Sequence, residues 1–456
     1  MSTVATPIPR ALPGMRSTAS SSARLIACAD VGFMLLVFLF SSDAFFFLHV
    51  TSLVWALCYA YFMLRLMLSL SQIAAVIDRN WIFLIYPALA LSSVMWSDLP
   101  ADGLRFAVQL TVTVLMAMFL GARFTPRQIY LAFFGVMLFA MVMSVLNLTS
   151  ALAPAYDGRH LFQGIFSSKN ALGHRAVLFT ATCTFGLLIL PRLRPQMRLA
   201  CLFGLTVVGI VLAVAGSATG ILFSFGAAAG GLALWLVVRV RNFWGLLLAL
   251  ILGPLGLFLI ASLFTRLDPL SALLSLVGRD ATLTGRTILW QFGWEHYLQR
   301  PWLGYGAAGF WDNPHYASSI LALQRRYGDG VVGFHDLIVE LLVMLGPLGV
   351  IAHGAMTLTC LYRTLWHTRH RLDPYAAWAF IMILSIFGMS LLGVQYYQGH
   401  SIAIILVVAL GTAYRLPQSQ TRAQIQSQTH RASSPAAHSS RFRRIPSPAP
   451  ETRGFS

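Results

Sequence analysis

Residues Gln128–Leu148 read QIYLAFFGVMLFAMVMSVLNL and contain no charged side chain. A helix needs about 20 apolar residues to cross the hydrocarbon core of a bilayer, so this stretch predicts a membrane-spanning helix. The same test finds eleven further stretches along the chain. The predicted spans cover residues 25–45, 48–70, 80–96, 104–121, 128–148, 171–190, 199–215, 219–238, 243–264, 336–361, 375–393 and 399–414.

The composition supports the same class. Hydrophobic residues make up 57% of the 456 residues and charged residues only 10%, which predicts an all-α polytopic membrane protein with about twelve transmembrane helices. The five cysteines stand in apolar segments without paired spacing, so neither a disulfide framework nor a metal site is predicted. The net charge of +17 does not predict a nucleic-acid partner, because no basic face on a folded domain is apparent.

Basic residues occur in the short loops on only one side of the predicted membrane. Four loops near residues 41–47, 97–103, 216–218 and 394–398 contain no Lys or Arg, whereas the alternate loops contain several. The positive-inside rule then places both termini in the cytoplasm. The predicted organisation is a cytoplasmic tail (1–24), nine spans (25–264), a large periplasmic loop with an interfacial helix (265–335), three spans (336–414) and a disordered basic cytoplasmic tail (415–456).

The large loop concentrates ionisable groups, since residues 266–340 hold seven of the fifteen acidic residues. Such a concentration beside a membrane indicates a catalytic or binding surface. The pattern of Leu283–Arg300 predicts a helix in the membrane interface. Arg286 in its first turn either grips a lipid phosphate through two hydrogen bonds or only snorkels or pairs with a loop carboxylate.

Further along, Gly304 and Gly306 either allow a ligand close to the backbone or form a tight turn. His335 either accepts a proton near neutral pH or forms a helix-capping pair with Asp336. Glu340, one turn inside the tenth span, either contacts substrate or is satisfied by an arginine. Five aromatic residues either stack on sugar faces or only belong to the membrane interface without a ligand: Trp290, Trp294, Tyr305, Trp311 and Tyr316.

The second outside loop ends in Lys169-Asn170, directly before the sixth span. Lys169 is the only lysine of the chain, and Asn170 is a residue type that can cap a helix. Arg175 lies about one turn inside the apolar stretch. An intramembrane arginine is either functional or snorkels back to the interface, and both interpretations stay open.

Four segments, in this order and spacing, resemble the O-antigen ligase and polymerase superfamily: Ile165–Gly173, Leu283–Trp290, Arg300–Gly306 and His335-Asp336-x-x-x-Glu340. The chain looks most like the exopolysaccharide polymerases of the ExoQ type. The resemblance implies a GT-C-like, metal-independent, inverting glycosyltransferase without a cofactor, which joins polyprenyl-diphosphate-linked glycan repeat units at the periplasmic face of the bacterial inner membrane. It also implies membrane lipid, a flippase and a chain-length regulator as partners.

The resemblance assigns roles to individual residues. Arg286 is expected to hold the donor diphosphate, and His335 to position or deprotonate the acceptor hydroxyl. Lys169 and Asn170 match the family's Lys-Asn pair. Two departures stand out, because Gly216-Ser217-Ala218-Thr219 lacks the basic residue that family members often carry after a serine, and Asp336 replaces the more usual asparagine.

The chemistry itself requires cations and a base. Charge that develops on the leaving diphosphate needs fixed cations when no metal supplies them, and Arg286, Lys169, Arg175 and Arg279 are the predicted set. His335 is the first predicted base, with Glu295 or Asp336 as the second.

Two rival functions remain. A ligase would pass the glycan to lipid A core or to a protein. A transporter of lipid-linked glycan would also have about twelve spans, but the ionisable groups cluster in an outside loop rather than along span interiors, which favours an enzyme.

Overall fold

The computed structural model describes residues 21–157, 160–190, 194–240, 286–327, 333–391, 393 and 396–416. Over these ranges the chain is helical, with one isolated β-bridge between Tyr156 and Phe162 and no strand. The helices are α1 (Ser21–Ser41), α2 (Thr51–Leu68), α3 (Leu70–Arg79), α4 (Ile85–Ser92), α5 (Pro100–Arg123), α6 (Pro126–Leu146), α7 (Lys169–Leu188), α8 (Pro195–Ala215), α9 (Ala218–Val240), α10 (Arg286–Gln299), α11 (Ala317–Tyr327), α12 (Leu337–Arg371), α13 (Pro374–Ser390) and α14 (Ile402–Ala413).

Seven helices of the described ranges are long and apolar enough to cross a membrane, namely α1, α2, α5, α6, α7, α8 and α12. The protein is therefore a multi-pass membrane protein. The predicted span at 219–238 is helical as α9, and those at 375–393 and 399–414 contain the shorter helices α13 and α14, of 17 and 12 residues. The predicted span at 243–264 lies outside the described residues, so the number twelve stays a prediction.

The predicted span at 80–96 is not a straight continuation of the helix before it. Helix α3 and the helical segment Trp81–Met95 meet at an angle of 88°. Asn80 occupies the break: its side-chain amide donates to the carbonyl oxygen of Val76 at 2.7 Å, and its own N–H donates to Ile77. These two bonds satisfy carbonyls at the end of α3, which explains why the helix ends there.

Helix α14 lies at the centre of the bundle. It packs against α5 and α12, and its residues Ile402–Thr412 are all buried. A helix that is apolar on every side must be surrounded by protein or by membrane hydrocarbon, and α14 is surrounded by protein. Gly121 of α5 lies directly against the backbone of Ala409, which brings the two helices together closely.

The long helix α12 is kinked at Gly346-Pro347. Gly346 has a left-handed backbone with φ of 65°, and Pro347 has no N–H to offer the carbonyl of Val343 one turn earlier. That carbonyl instead accepts the backbone N–H of Tyr305 at 2.9 Å. The loop after α10 is thereby fixed to the kink, with Gly304, at φ of 62°, against the backbone of Val343.

We expect Gly304→Ala to destabilise the fold by about 2 kcal/mol, because its methyl group would meet the Val343 carbonyl and its backbone would stay left-handed. Thermal unfolding of the detergent-solubilised protein measures the effect. Gly209→Ala is the matched control, since a methyl group at this position of α8 meets nothing within 4 Å. Equal melting temperatures for the two variants would contradict the tight docking of the loop.

A buried carboxylate connects three helices near the C-terminal ends of α2 and α5. Asp30 of α1 is fully buried and accepts from Arg65 Nε at 2.9 Å, Arg123 Nε at 2.7 Å and the Tyr61 hydroxyl at 2.7 Å. These partners belong to α2 and α5. One side chain of α1 therefore fixes the ends of two neighbouring helices.

Candidate functional site

Two consecutive residues, His335 and Asp336, precede the N-terminus of α12. Asp336 precedes the helix and its Oδ1 accepts the N–H of Val339 at 2.9 Å, so the helix-capping interpretation of Asp336 is confirmed. Burial raises the pKa of the Asp336 carboxyl, although the N–H groups of Val339 and Ile338 act in the opposite direction. His335, just before it, has a left-handed backbone with φ of 53°.

Glu340 lies one turn inside α12 and is only 6% exposed. Its Oε1 accepts from Trp311 Nε1 at 3.0 Å, and its Oε2 accepts from the N–H of Phe334 at 2.9 Å. The arginine partner considered above is not found: within the described ranges no basic side chain forms an ion pair with Glu340, and two neutral donors satisfy it. A buried carboxylate without a paired cation is costly and indicates a functional position.

A cavity of about 250 Å³ opens beside Glu340. Its walls combine the acidic side chains of Glu340 and Asp312, an amide, two aromatic rings with polar groups and loop backbone that contains glycine. The lining includes Glu340, Trp311, Tyr397, Gln398, Phe106 and Gly306. Hydroxyl groups of a sugar can donate to the carboxylate, and a sugar face can lie on the aromatic walls, so the cavity suits a carbohydrate.

The connection between α13 and α14 links this cavity to His335. Tyr397 and Gln398 of the connection line the cavity, while Gly393 packs against His335, with 3.2 Å from an added Cβ to Nδ1. His335 and Glu340 thus lie under the same segment. Sequence reasoning missed Tyr397 and Gln398, which belong to the predicted outside loop near 394–398, whose only signal was its lack of basic residues.

The loop that carries Trp311 is fixed to the loop before α5. Arg300 donates a hydrogen bond to Asp98 at 3.1 Å and forms an ion pair with it at 3.0 Å, and its guanidinium lies 4.6 Å above the Tyr305 ring. Burial lowers the pKa of Arg300, but the hydrogen bond and charge of Asp98 more than offset this and raise it. Further bonds join Trp96 Nε1 to the Leu303 carbonyl and the Ala307 N–H to Ser93 Oγ.

An aromatic cluster supports the same loop. Tyr305 is fully buried, its ring meets Phe310 and Tyr316 edge-on, and its hydroxyl donates to the His296 carbonyl at 3.1 Å. Burial raises the pKa of Tyr305 to about 12. The expectation that Tyr305 stacks on a sugar is therefore wrong, because its faces are covered by protein. Trp311 is the predicted aromatic residue that does line the cavity.

The predicted helix over 283–300 is present as α10, and Arg286 is its first residue. Gly293 of α10 lies against Phe334 and Val339, which fixes α10 to the start of α12. Glu295 is exposed and accepts a hydrogen bond from Gln291 one turn earlier. Arg279 lies outside the described residues. The diphosphate roles of Arg286 and Arg279 stay predictions.

Helix α7 begins at Lys169, but its cap differs from the expected one. Ser168 is the N-cap residue, and its hydroxyl accepts the Ala171 N–H at 3.1 Å, whereas Asn170 is exposed. Serine and asparagine cap equally well, so only the register of the helix start decides between them. Asn170 and Lys169 remain predicted substrate contacts.

Arg175 has partners within the protein, at the predicted outside loop 41–47. Arg175 is only 8% exposed, forms an ion pair with Asp43 at 2.8 Å and donates to the Ser42 carbonyl at 3.1 Å. Its charge is balanced inside the protein. Two residues earlier, Gly173 lies against Ser217, so the helix start that carries the predicted Lys-Asn pair meets the turn between α8 and α9.

The structure thus assembles two groups of predicted residues. One contains His335, Asp336, Glu340 and Gly306 around the start of α12, and the other contains Lys169, Asn170 and Arg175 beside the α8–α9 turn. Helix α13 connects the two groups. It contacts α9, for example through Gly388 against Phe223, and it leads to Gly393, which packs against His335. Among the described residues, no group of three or more His, Cys, Asp or Glu side chains could hold a metal ion.

Comparison with known proteins bears directly on this arrangement. Residues 202–354 match the family model described as O-antigen ligase. The O-antigen ligase match includes α10, α11, the start of α12 and the residues Arg286, His335 and Glu340. The resemblance inferred from the sequence motifs is confirmed.

A curated relative supports the O-antigen ligase match. The exopolysaccharide production protein ExoQ of Rhizobium meliloti (strain 1021) is 27% identical over 302 residues. The aligned part covers 62% of this chain and 65% of that protein, so the chain spans just under two thirds of its relative.

Proposed function

We propose that this protein is a membrane glycosyltransferase that joins polyprenyl-diphosphate-linked glycan repeat units and so extends an exopolysaccharide. The O-antigen ligase match and the similarity to ExoQ support this class of reaction. The observation that carries the proposal is Glu340, a buried carboxylate without a paired cation in the described structure, on the wall of a cavity suited to a sugar.

The proposed reaction is an inverting displacement. The acceptor hydroxyl oxygen attacks the anomeric carbon of the growing glycan from the side opposite the diphosphate. The bond between that carbon and the diphosphate oxygen breaks, and its electron pair leaves with the diphosphate. The hydroxyl proton passes to His335, while Glu340 accepts a hydrogen bond from the acceptor sugar and holds it in position.

The leaving diphosphate requires positive charge near its oxygens. Arg286, at the start of α10, is the first proposed partner, with Lys169, Arg175 and Arg279 as further ones. Arg175 already pairs with Asp43, so its contribution would be shared. In this proposal the reaction needs no metal.

The proposal includes an orientation. Residues 265–335 and the Glu340 cavity face the periplasm of a bacterial inner membrane, and the segments 1–24 and 415–456 lie in the cytoplasm. A flippase that supplies the lipid-linked repeat unit and a regulator of chain length are the proposed protein partners.

Reconstitution tests the function. Purified protein in liposomes receives synthetic polyprenyl-diphosphate repeat units in the presence of EDTA, and product length is read by gel electrophoresis. Wild type is expected to form products longer than one repeat. Arg286→Ala and His335→Ala are each expected to lower the rate about 100-fold or more, because each removes a charge or a proton acceptor from the reacting centre.

Matched controls exist for both variants. Arg325→Ala removes an exposed arginine of α11, and His370→Ala removes an exposed histidine at the far end of α12. Both should elongate at the wild-type rate. A wild-type protein that makes no product beyond one repeat would overturn the polymerase proposal.

A second candidate function is supported by the description of the matched family. A ligase would transfer the glycan once, to lipid A core or to a protein. Offering such an acceptor together with the donor distinguishes the two, since a ligase yields a single conjugate and leaves the glycan length unchanged.

A further inference from the structure

A second cavity lies at the end of the bundle opposite Glu340. Helix α5 starts beside the loop that carries Trp311 and ends at Arg123, so its two ends mark the two sides. The cavity at the Arg123 end has a volume of about 170 Å³ and is also lined by Arg65 and Arg415. One water needs only ~10–15 Å³ of such space, so the cavity accepts a much larger group.

The charges around this cavity do not cancel. Asp30 accepts from Arg65 and Arg123 through their Nε atoms and supplies one negative charge for two positive ones. In the part of the chain that the structure describes, Arg415 forms no ion pair with a carboxylate. Burial and the nearby charge of Arg79 lower the pKa of Arg415, which means that its cation is held in an unfavourable place. A bound anion would compensate this positive charge.

The remaining walls combine polar and apolar groups in a definite arrangement. Ser69 and Gln72 contribute hydrogen-bonding groups, while Ile73, Val76 and Leu115 contribute aliphatic surface. Close to Ser69 in the chain stand two large exposed apolar side chains, Met67 at 78% and Leu70 at 63% exposure. An anionic head in the cavity could therefore continue into a hydrocarbon chain along α3.

We infer that this cavity binds the phosphate headgroup of an anionic membrane lipid, with the guanidinium groups of Arg415 and Arg123 on the phosphate oxygens and the lipid chain along α3. Arginine suits this ligand because its planar N–H groups match phosphate oxygens in pairs. A free anion would gain no stabilising contact from the apolar walls or from the exposed apolar side chains beside them. The inference does not depend on the proposed glycosyl transfer.

The test uses the full-length protein in detergent micelles and native mass spectrometry, which counts bound lipid. Dioleoyl phosphatidic acid is the probe, and dioleoyl phosphatidylcholine is the comparison lipid. Wild type should retain phosphatidic acid selectively, and Arg415→Gln should weaken this binding about tenfold or more, since it removes a charge-assisted hydrogen bond. Arg198→Gln, which removes an exposed arginine at the start of α8, should bind like wild type.

A second variant tests the binding site independently, in case the first variant misfolds. Gln72→Glu keeps the shape of an exposed side chain at the edge of the cavity but adds a negative charge, and it should weaken binding in the same direction. Unchanged binding in both variants would overturn the inference. Displacement of the lipid by an equal concentration of inorganic phosphate would overturn the assignment to a lipid, because the apolar walls would then contribute nothing.

Discussion

Glu340→Gln is expected to reduce elongation of lipid-linked repeat units about 100-fold or more while leaving the bundle folded. The substitution preserves volume but replaces one carboxyl oxygen with an amide NH2 group. In the wild type each of the two oxygens accepts one hydrogen bond, from Trp311 Nε1 and from the Phe334 N–H. One donor is then left without an acceptor, and a sugar hydroxyl loses the carboxylate to which it would donate.

Initial rates in the liposome assay measure this effect, and their dependence on acceptor concentration separates binding from chemistry. Asp102→Asn is the matched control, because Asp102 is an exposed carboxylate in the first turn of α5 at the same end of the bundle. Trp311→Phe keeps the ring but removes the N–H and should give an intermediate rate. A Glu340→Gln protein that elongates within about twofold of wild type would show that this cavity is not where the acceptor binds.

Asp30→Ala should have the largest effect on stability. Asp30 is fully buried and receives Arg65 and Arg123, whose side chains are 13% and 41% exposed. Breaking a buried ion pair costs about 3–5 kcal/mol, because the remaining charge keeps its desolvation penalty without its partner. We expect about 3 kcal/mol here, at the lower end, since Arg123 can turn toward solvent or headgroups.

Thermal unfolding in a fixed detergent, followed by circular dichroism, measures the change. Asp78→Ala is the control, because Asp78 is an exposed carboxylate of α3 on the same side of the bundle. Asp30→Asn should fall between the two, since its amide oxygen can still accept from Tyr61 or an arginine. A melting temperature of Asp30→Ala equal to that of the control would mean that water or lipid already satisfies both arginines.

The apolar spans are the part of the fold that the sequence predicts well, because spanning a bilayer requires a length of hydrocarbon that is directly countable. The bend at Asn80 was not predictable from hydropathy. It depends on the Asn80 side chain satisfying α3 carbonyls and on Arg363 contacting the same amide from α12, 283 residues later in the chain. Long-range partners of this kind leave no periodic signal.

The candidate site was also predictable from the sequence only in part. Residue type and position identified His335, Asp336 and Glu340 as a group, since a carboxylate near the start of an apolar helix is unusual in itself. The residues that define their environment could not be predicted, because Trp311 reaches Glu340, and Tyr397 reaches the same cavity, only through folded loops. The partner of Arg175 was equally hidden, as Asp43 stands 132 residues earlier in the chain.

The contact between the Gly304 loop and the kink of α12 has a consequence for sequence variation among related proteins. The carbonyl freed by Pro347 and the N–H of Tyr305 satisfy each other, and Gly304 and Gly346 allow the two backbones to meet. A change at Gly304, Gly346 or Pro347 alters what the other two positions must provide, whereas any residue except proline supplies the N–H at position 305. Related proteins should therefore vary at these positions together. A relative without the proline should also differ in the loop that covers the cavity beside the residue equivalent to Glu340.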